Sequence, residues 1–337
     1  MVVDRALRWM GRNVCLAFPN RFLVTALIVA FGQGCSDNQN LDITARVYIE
    51  NVTVAGETLS VPTHIGFFNN LEIISDLYNN RLLYREEGDV KWLKSPIPLK
   101  GQHSIAYAND LYYVSDTGNH RIISFQDLSG SDIEQTTSIS GIKLNRPHDI
   151  LFNTEDGYLY VIHENNHLFR FRHFGKMEEK LDLRSVLGYA RSLSSVDGKL
   201  YVINSSKGQV IEIEDFTQKK WRVYQSYGKK KNAYSGSWET TGLVFNDVEF
   251  YNGYWYGSNM FDSSSNTGGF DHNRFRLIRW KTWEDFENGH WDELSHLLPD
   301  DTIPYYFTIH NLKLYLAVMG ALEAPIPVGI YEIMGAG

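Results

Sequence analysis

Tyr112-Tyr113-Val114-Ser115-Asp116-Thr117-Gly118-Asn119-His120-Arg121-Ile122-Ile123-Ser124-Phe125 is an alternating apolar run that ends in Asp, then a short Gly/Asn turn, then a second alternating run that begins at Arg. That is the pattern of a strand, a tight connection and a strand. Imperfect copies of this stretch recur on both sides of it, so the period of the chain comes before any single motif.

Six units emerge. The first runs through Thr63 to Phe68, Leu71 to Asp76 and Asn79 to Tyr84; the second opens at His103 and contains the stretch above. The third has Arg146-Pro147-His148-Asp149-Ile150, Tyr158 to His163 and His167 to Phe171. The fourth is built on Ala190 to Leu193 and Lys199 to Asn204, the fifth on Asn246 to Phe250 and Tyr254 to Asn259, the sixth on Tyr306 to Ile309 and Lys313 to Val318. A period of about 40 to 46 residues, with several short strands and no helical pattern, means propeller blades of four antiparallel strands. The expected fold is therefore an all-β, six-bladed β-propeller over residues 44–337 as a single domain. Its sixth unit ends at a third strand, and an unpaired edge is an aggregation liability. Ala45 to Val54 alternates, belongs to no unit, and is expected to supply the missing strand.

Asp116-Thr117-Gly118-Asn119-His120-Arg121-Ile122, with Arg146-Pro147-His148-Asp149-Ile150, resembles the NHL-repeat family of β-propellers. The resemblance covers residues 62–334 and implies a scaffold more than an activity, because such folds host unrelated functions. Among NHL-like propellers, the peptidyl-hydroxyglycine amidating lyases hold a catalytic metal with channel histidines in Pro-His turns similar to Pro147-His148. This chain departs from them in taking its histidines from three adjacent blades.

The body contains no cysteine, since Cys15 and Cys35 both precede the first unit, so disulfides, Cys-based zinc sites and Cys nucleophiles are excluded there. A formal net charge of −8 argues against a nucleic-acid partner. Arg5, Arg8, Arg12 and Arg21 precede the apolar run Phe22 to Phe31, which ends in Gly32-Gln33-Gly34-Cys35. A basic flank, a short apolar core and small residues describe an export signal over 1–34. The run is too short for a bilayer core of about 30 Å, which needs about 20 residues. The Gly-Cys junction resembles a bacterial lipobox, implying lipidation at Cys35, a polar tether over 35–43 and residence in the cell envelope. The competing reading is an ordinary cleaved signal.

Alignment of the units places His64, His103 and His148 at the start of successive innermost strands, with Arg191, Asn246 or Asp247, and Tyr306 at the equivalent places in later blades. These residues should ring one mouth of the central channel, called the upper mouth here. Converging neutral imidazoles can ligate zinc or another divalent metal; the alternative is that each bonds to neighbouring backbone. Asp149, Glu164 and Asp247 are the carboxylates within range to act as a base. His163, Glu164 and His167 sit at the blade-three turn, where the repeat's Asp is replaced. Asp76 and Asp116 read as turn residues paired with Arg81 and Arg121. Long loops at Lys229 to Trp238 and Asp262 to Asn273 belong to the same face, and Trp238 is a candidate for stacking on a sugar or peptide. Trp283 to Trp291 reads as a solvated turn with Trp anchors on the opposite face.

Two functions follow. One is a membrane-tethered binding propeller for a protein, peptide or glycan. The other is a metal-dependent lyase or hydrolase at the channel mouth. No Gly-x-Ser-x-Gly elbow is present.

Overall fold

The computed structural model describes residues 43–227, 243–260, 275–320 and 328–335. Among them are six four-stranded antiparallel sheets and two small two-stranded ones. The innermost strands are Pro62–Phe68, Ile105–Ala108, Pro147–Asn153, Ala190–Val196, Phe245–Tyr251 and Thr302–His310, and each contacts the next around a closed ring. The expected six-bladed propeller is the observed fold. Cys35, Trp238, the export segment, the tether as far as residue 42 and both long loops lie outside the described residues.

The second strand of each of these blades is a near-continuous buried run because both of its faces are covered. In Leu71–Asp76, Ile73 packs with Tyr112 and Val114 of the second blade, while Ile74 packs with Tyr306 and Tyr315 of the sixth. The same division repeats, so that each hydrophobic cluster lies between two neighbouring blades. Burying an aliphatic side chain contributes about 1.5–3 kcal/mol, and this inter-blade core holds the ring together.

Closure is by the N-terminal strand. Thr44–Glu50 pairs antiparallel with Gly329–Met334, making the outer strand of the sixth blade. It is shorter than the alternation suggests. Asn51 takes a left-handed φ of 50° and ends the strand. A small hairpin of Thr53–Val54 with Glu57–Thr58 follows, turning through Ala55 and Gly56 at positive φ.

The stretch Tyr112 to Phe125 forms a turn that recurs from blade to blade. Thr117–Asn119 form a single 3-10 turn, and His120 leaves it at φ 56°. Asp116 is buried; its Oδ2 accepts from Arg121 Nε at 2.6 Å and its Oδ1 from the Lys100 N–H at 2.8 Å. Asp76 repeats this with Arg81 Nε at 2.8 Å and the N–H groups of Ser60 and Val61. Where the repeat loses its Asp, the work continues: Asn204 Oδ1 accepts from Gly188 N–H at 2.9 Å, and His163 Nδ1 from Asn145 N–H at 3.1 Å. His163 is therefore a substitute for the turn Asp.

Trp283–Asn288 is a short α-helix rather than a turn. Thr282 and Asp285 form a reciprocal capping box and Gly289 closes the helix at φ 76°. Trp283 packs against the core between blades four and five.

Candidate functional site

Where five of the six innermost strands start, the ladder shifts register. Pro62 pairs with Asp76 but His64 with Ser75, and the same shift occurs at Pro147/Asp149, Ala190/Ser192 and Phe245/Asp247. These are β-bulges at the channel rim. Their register sorts the lining into two levels. The upper level is Thr63, His103, His148, Arg191, Asn246 and Tyr305; the level below is His64, Ser104, Asp149, Ser192, Asp247 and Tyr306. The expected ring therefore divides. His103, His148, Arg191 and Asn246 share a level, whereas His64, Asp247 and Tyr306 belong to the next one down, beside Asp149.

The lower level is a belt of blade-to-blade hydrogen bonds. His64 Nδ1 accepts from Ile105 N–H at 3.1 Å, Ser104 Oγ from Ile150 N–H at 3.0 Å, Asp149 Oδ2 from Leu193 N–H at 2.7 Å and Asp247 Oδ2 from Phe307 N–H at 2.9 Å. Each side chain caps the innermost strand of a following blade. Burial sets their protonation. It pushes His64 down to about 4 and Asp149 up to about 7; burial together with the Glu249 charge holds Asp247 well above the ordinary carboxyl range. A cavity of about 400 Å³ lies at this depth, lined by His64, Asp149, Asp247, Glu249 and Tyr306 among others. Tyr306 crosses from blade six to blade four, its hydroxyl donating to the Arg191 carbonyl at 2.9 Å.

The upper level is built around Arg191. Arg191 Nη1 donates to Asn246 Oδ1 and to Tyr305 Oη, each at 3.1 Å, and Nη2 approaches Met260 Sδ at 3.4 Å. Asn246 Nδ2 in turn donates to the Pro304 carbonyl at 2.7 Å, fixing the amide. The His148 and His103 rings meet edge-on at 4.8 Å, and Tyr189 stands against His148 with centroids 5.1 Å apart. His148 Nε2 is hydrogen-bonded to the Tyr189 hydroxyl and lies 3.5 Å from Glu164 Oε1. Burial, with Arg191 adding to it against the pull of Glu164, lowers His148 to about 4, so the imidazole is neutral at pH 7. His103 is held well below the usual range by burial and by its neighbours His148 and Arg191; its Nδ1 contacts Gly101 O at 3.1 Å and Thr117 Oγ1 at 3.0 Å. Burial raises Glu164, but bonds to His148 and Arg146 outweigh it and leave the carboxyl below its ordinary range. Arg146 Nε reaches it at 2.6 Å.

The metal reading does not fit these residues. His64 lies a level below the other two with Nδ1 occupied, and His148 Nε2 is engaged by Tyr189. Among the described residues no group of three or more His, Cys, Asp or Glu side chains is arranged to hold a metal ion. His163 and His167 face each other at 5.6 Å inside blade three, so of that turn Glu164 alone reaches the mouth.

Tyr189, Tyr305 and Met260 are mouth residues that the repeat did not reveal. Tyr189 and Met260 sit just outside the strands, where no alternation marks them. Tyr305 is displaced by the bulge. One signal was available: matching Pro62 to Pro147 sets His64 level with Asp149.

No protein-family profile and no curated protein sequence matches the chain. Solved structures resemble it in shape. A catalytically inactive virginiamycin B lyase from Staphylococcus aureus with quinupristin has a TM-score of 0.56 at 11% identity, covering 86% of this chain and 89% of that one. A putative gluconolactonase has 0.58 at 13%, covering 87% and 92%. A chain of a nidogen/laminin complex has 0.53 at 10%, covering 86% and 97%. At such identities the likeness establishes the fold alone.

Proposed function

We propose that the chain is a binding propeller that receives a protein, peptide or glycan at its upper mouth, in contact with Arg191, Asn246, His148 and Tyr189. One observation carries the proposal. His148 Nδ1 and Arg191 Nε, at the same mouth, are buried without a hydrogen-bond partner among the described residues. Leaving such a group unpaired costs about 1–3 kcal/mol, and a ligand's own polar atoms would remove that cost. The rings of His103, His148, Tyr189 and Tyr305 offer rigid amphipathic surface beside them. The nidogen/laminin, lyase and gluconolactonase neighbours carry no function across at their identity.

Export and attachment through Cys35 would place this mouth on a membrane surface at the end of a polar tether; fatty-acid labelling lost in Cys35→Ala tests it. For the mouth itself, the full chain is screened against arrayed peptides and glycans and the tightest probe is titrated calorimetrically. At least tenfold weaker binding is expected in His148→Leu and Asn246→Leu. Unchanged affinity in both variants, or no saturable binding to any probe, overturns the proposal.

A further inference from the structure

Among the described residues, every arginine except the exposed Arg172 and the mouth residue Arg191 forms an ion pair with an Asp or Glu side chain. The partners of Arg191 there are an amide oxygen, a phenol and a thioether, all neutral. The mouth carboxylate Glu164 is engaged by Arg146. Asp149 and Asp247, one level down, accept backbone N–H groups from Leu193 and Phe307.

The donors of Arg191 are also unevenly used. A guanidinium has five N–H donors in a planar fork. Nη1 spends both of its hydrogens on Asn246 and Tyr305, so that side of the group is held in place. Among the described residues, Nε has no partner and Nη2 has only the Met260 sulfur, a weak acceptor. The Nε–Nη2 edge is the one that takes a carboxylate or phosphate in a two-point, charge-assisted bond. Met260, exposed and flexible, covers it.

We infer that Arg191 is the anchor for an anionic oxygen group of the ligand, a carboxylate or a phosphate, which displaces Met260 and bonds to the Nε–Nη2 edge. This rests on the upper mouth being the binding site, and it specifies what a ligand there must carry. Asn246 and Tyr305 are positioning residues that aim the fork. The neutral His103 and His148 beside it add no competing negative charge, and Arg191 contributes to holding both neutral.

The test uses the full chain with propionate and inorganic phosphate as probes, followed by NMR of the arginine Nε–H and imidazole signals in chloride-free buffer. A saturable shift of the Arg191 Nε–H and an upward move of the His148 titration are expected with at least one probe. The probe that binds more tightly identifies the group. Arg191→Gln should weaken binding about ten- to hundredfold, the scale of lost charged hydrogen bonds; Arg191→Lys should recover part of it, and Met260→Ala should strengthen it. Far-UV spectra check that each variant is folded. Equal His148 imidazole shifts in Arg191→Gln and the parent, or no saturable shift in either the parent or Met260→Ala, overturn the inference. An arrayed peptide that binds equally with a free or an amidated C-terminus, yet loses affinity in His148→Leu, overturns the anchor while the mouth still stands as the binding site.

Discussion

Replacing Asp149 by Asn should make the protein more stable at pH 8 and leave it nearly unchanged at pH 4. Asp149 is 4% exposed, and burial pushes its carboxyl up to about 7, against about 3.9 in an unfolded chain. Below pH 4 both states hold the proton and the group is neutral towards folding. Between about 4 and 7 the unfolded state has lost its proton while the folded state keeps it, so stability falls as pH rises, by about 1.4 kcal/mol per unit. Above pH 7 both are ionised and the full cost stands, on the order of 4 kcal/mol. Asn cannot ionise, and its carbonyl can still accept the Leu193 N–H now held at 2.7 Å. His64, His148 and His163, each lowered to about 4, act in the opposite direction: they stabilise above pH 6.5 and lose that contribution as pH falls to 4. They are common to both proteins and cancel in the comparison. Urea unfolding of parent and variant from pH 4 to 8.5 measures the difference, and any constant effect of the buried amide shifts all points alike. A difference that does not grow with pH, or that grows in favour of the parent, refutes the assignment of Asp149 as a neutral inter-blade clamp.

Three further substitutions test the scaffold. Gly118→Ala places a Cβ 2.6 Å from the Lys100 carbonyl oxygen, which the turn holds by a hydrogen bond, so a loss of about 1–3 kcal/mol is expected by urea unfolding. Ile49→Ala, in the closing strand at 4% exposure, should cost about 2–5 kcal/mol and speed amide exchange in Gly329–Met334; unchanged exchange there would deny the strand its closing role. His163→Ala leaves the Asn145 N–H without its acceptor and should cost about 1–3 kcal/mol, with His163→Asp recovering part of it; no recovery would reject the equivalence with Asp76 and Asp116.

The blades were legible because their strands are buried on both faces and bounded by turns. Leu71–Asp76, Lys199–Asn204 and Tyr254–Asn259 carry the same limits in the sequence and in the fold. Asp116 and Arg121 were legible as a pair because the turn brings them together locally. The levels of the channel were not, since a single extra residue at each bulge moves a side chain from one level to the next, and no local composition marks it. His64 was placed with His103 for that reason. Arg191 was read at the start of its innermost strand, but that no carboxylate pairs with it among the described residues depends on blades three, five and six, which only the closed ring assembles. The helix at Trp283–Asn288 had a readable signature in Thr282, Asp285 and Gly289, obscured by the surrounding strand pattern.

The most direct test of ligand binding at the upper mouth is hydroxyl-radical footprinting of the full chain, with and without the tightest arrayed probe. Met260 and Tyr189 line that mouth; Leu312 and Val90, 88% and 91% exposed, sit in loops on the opposite face of the propeller. Protection of Met260 and Tyr189 with Leu312 and Val90 unchanged is the result predicted. Protection of Leu312 or Val90 with Met260 and Tyr189 labelled as before would contradict it.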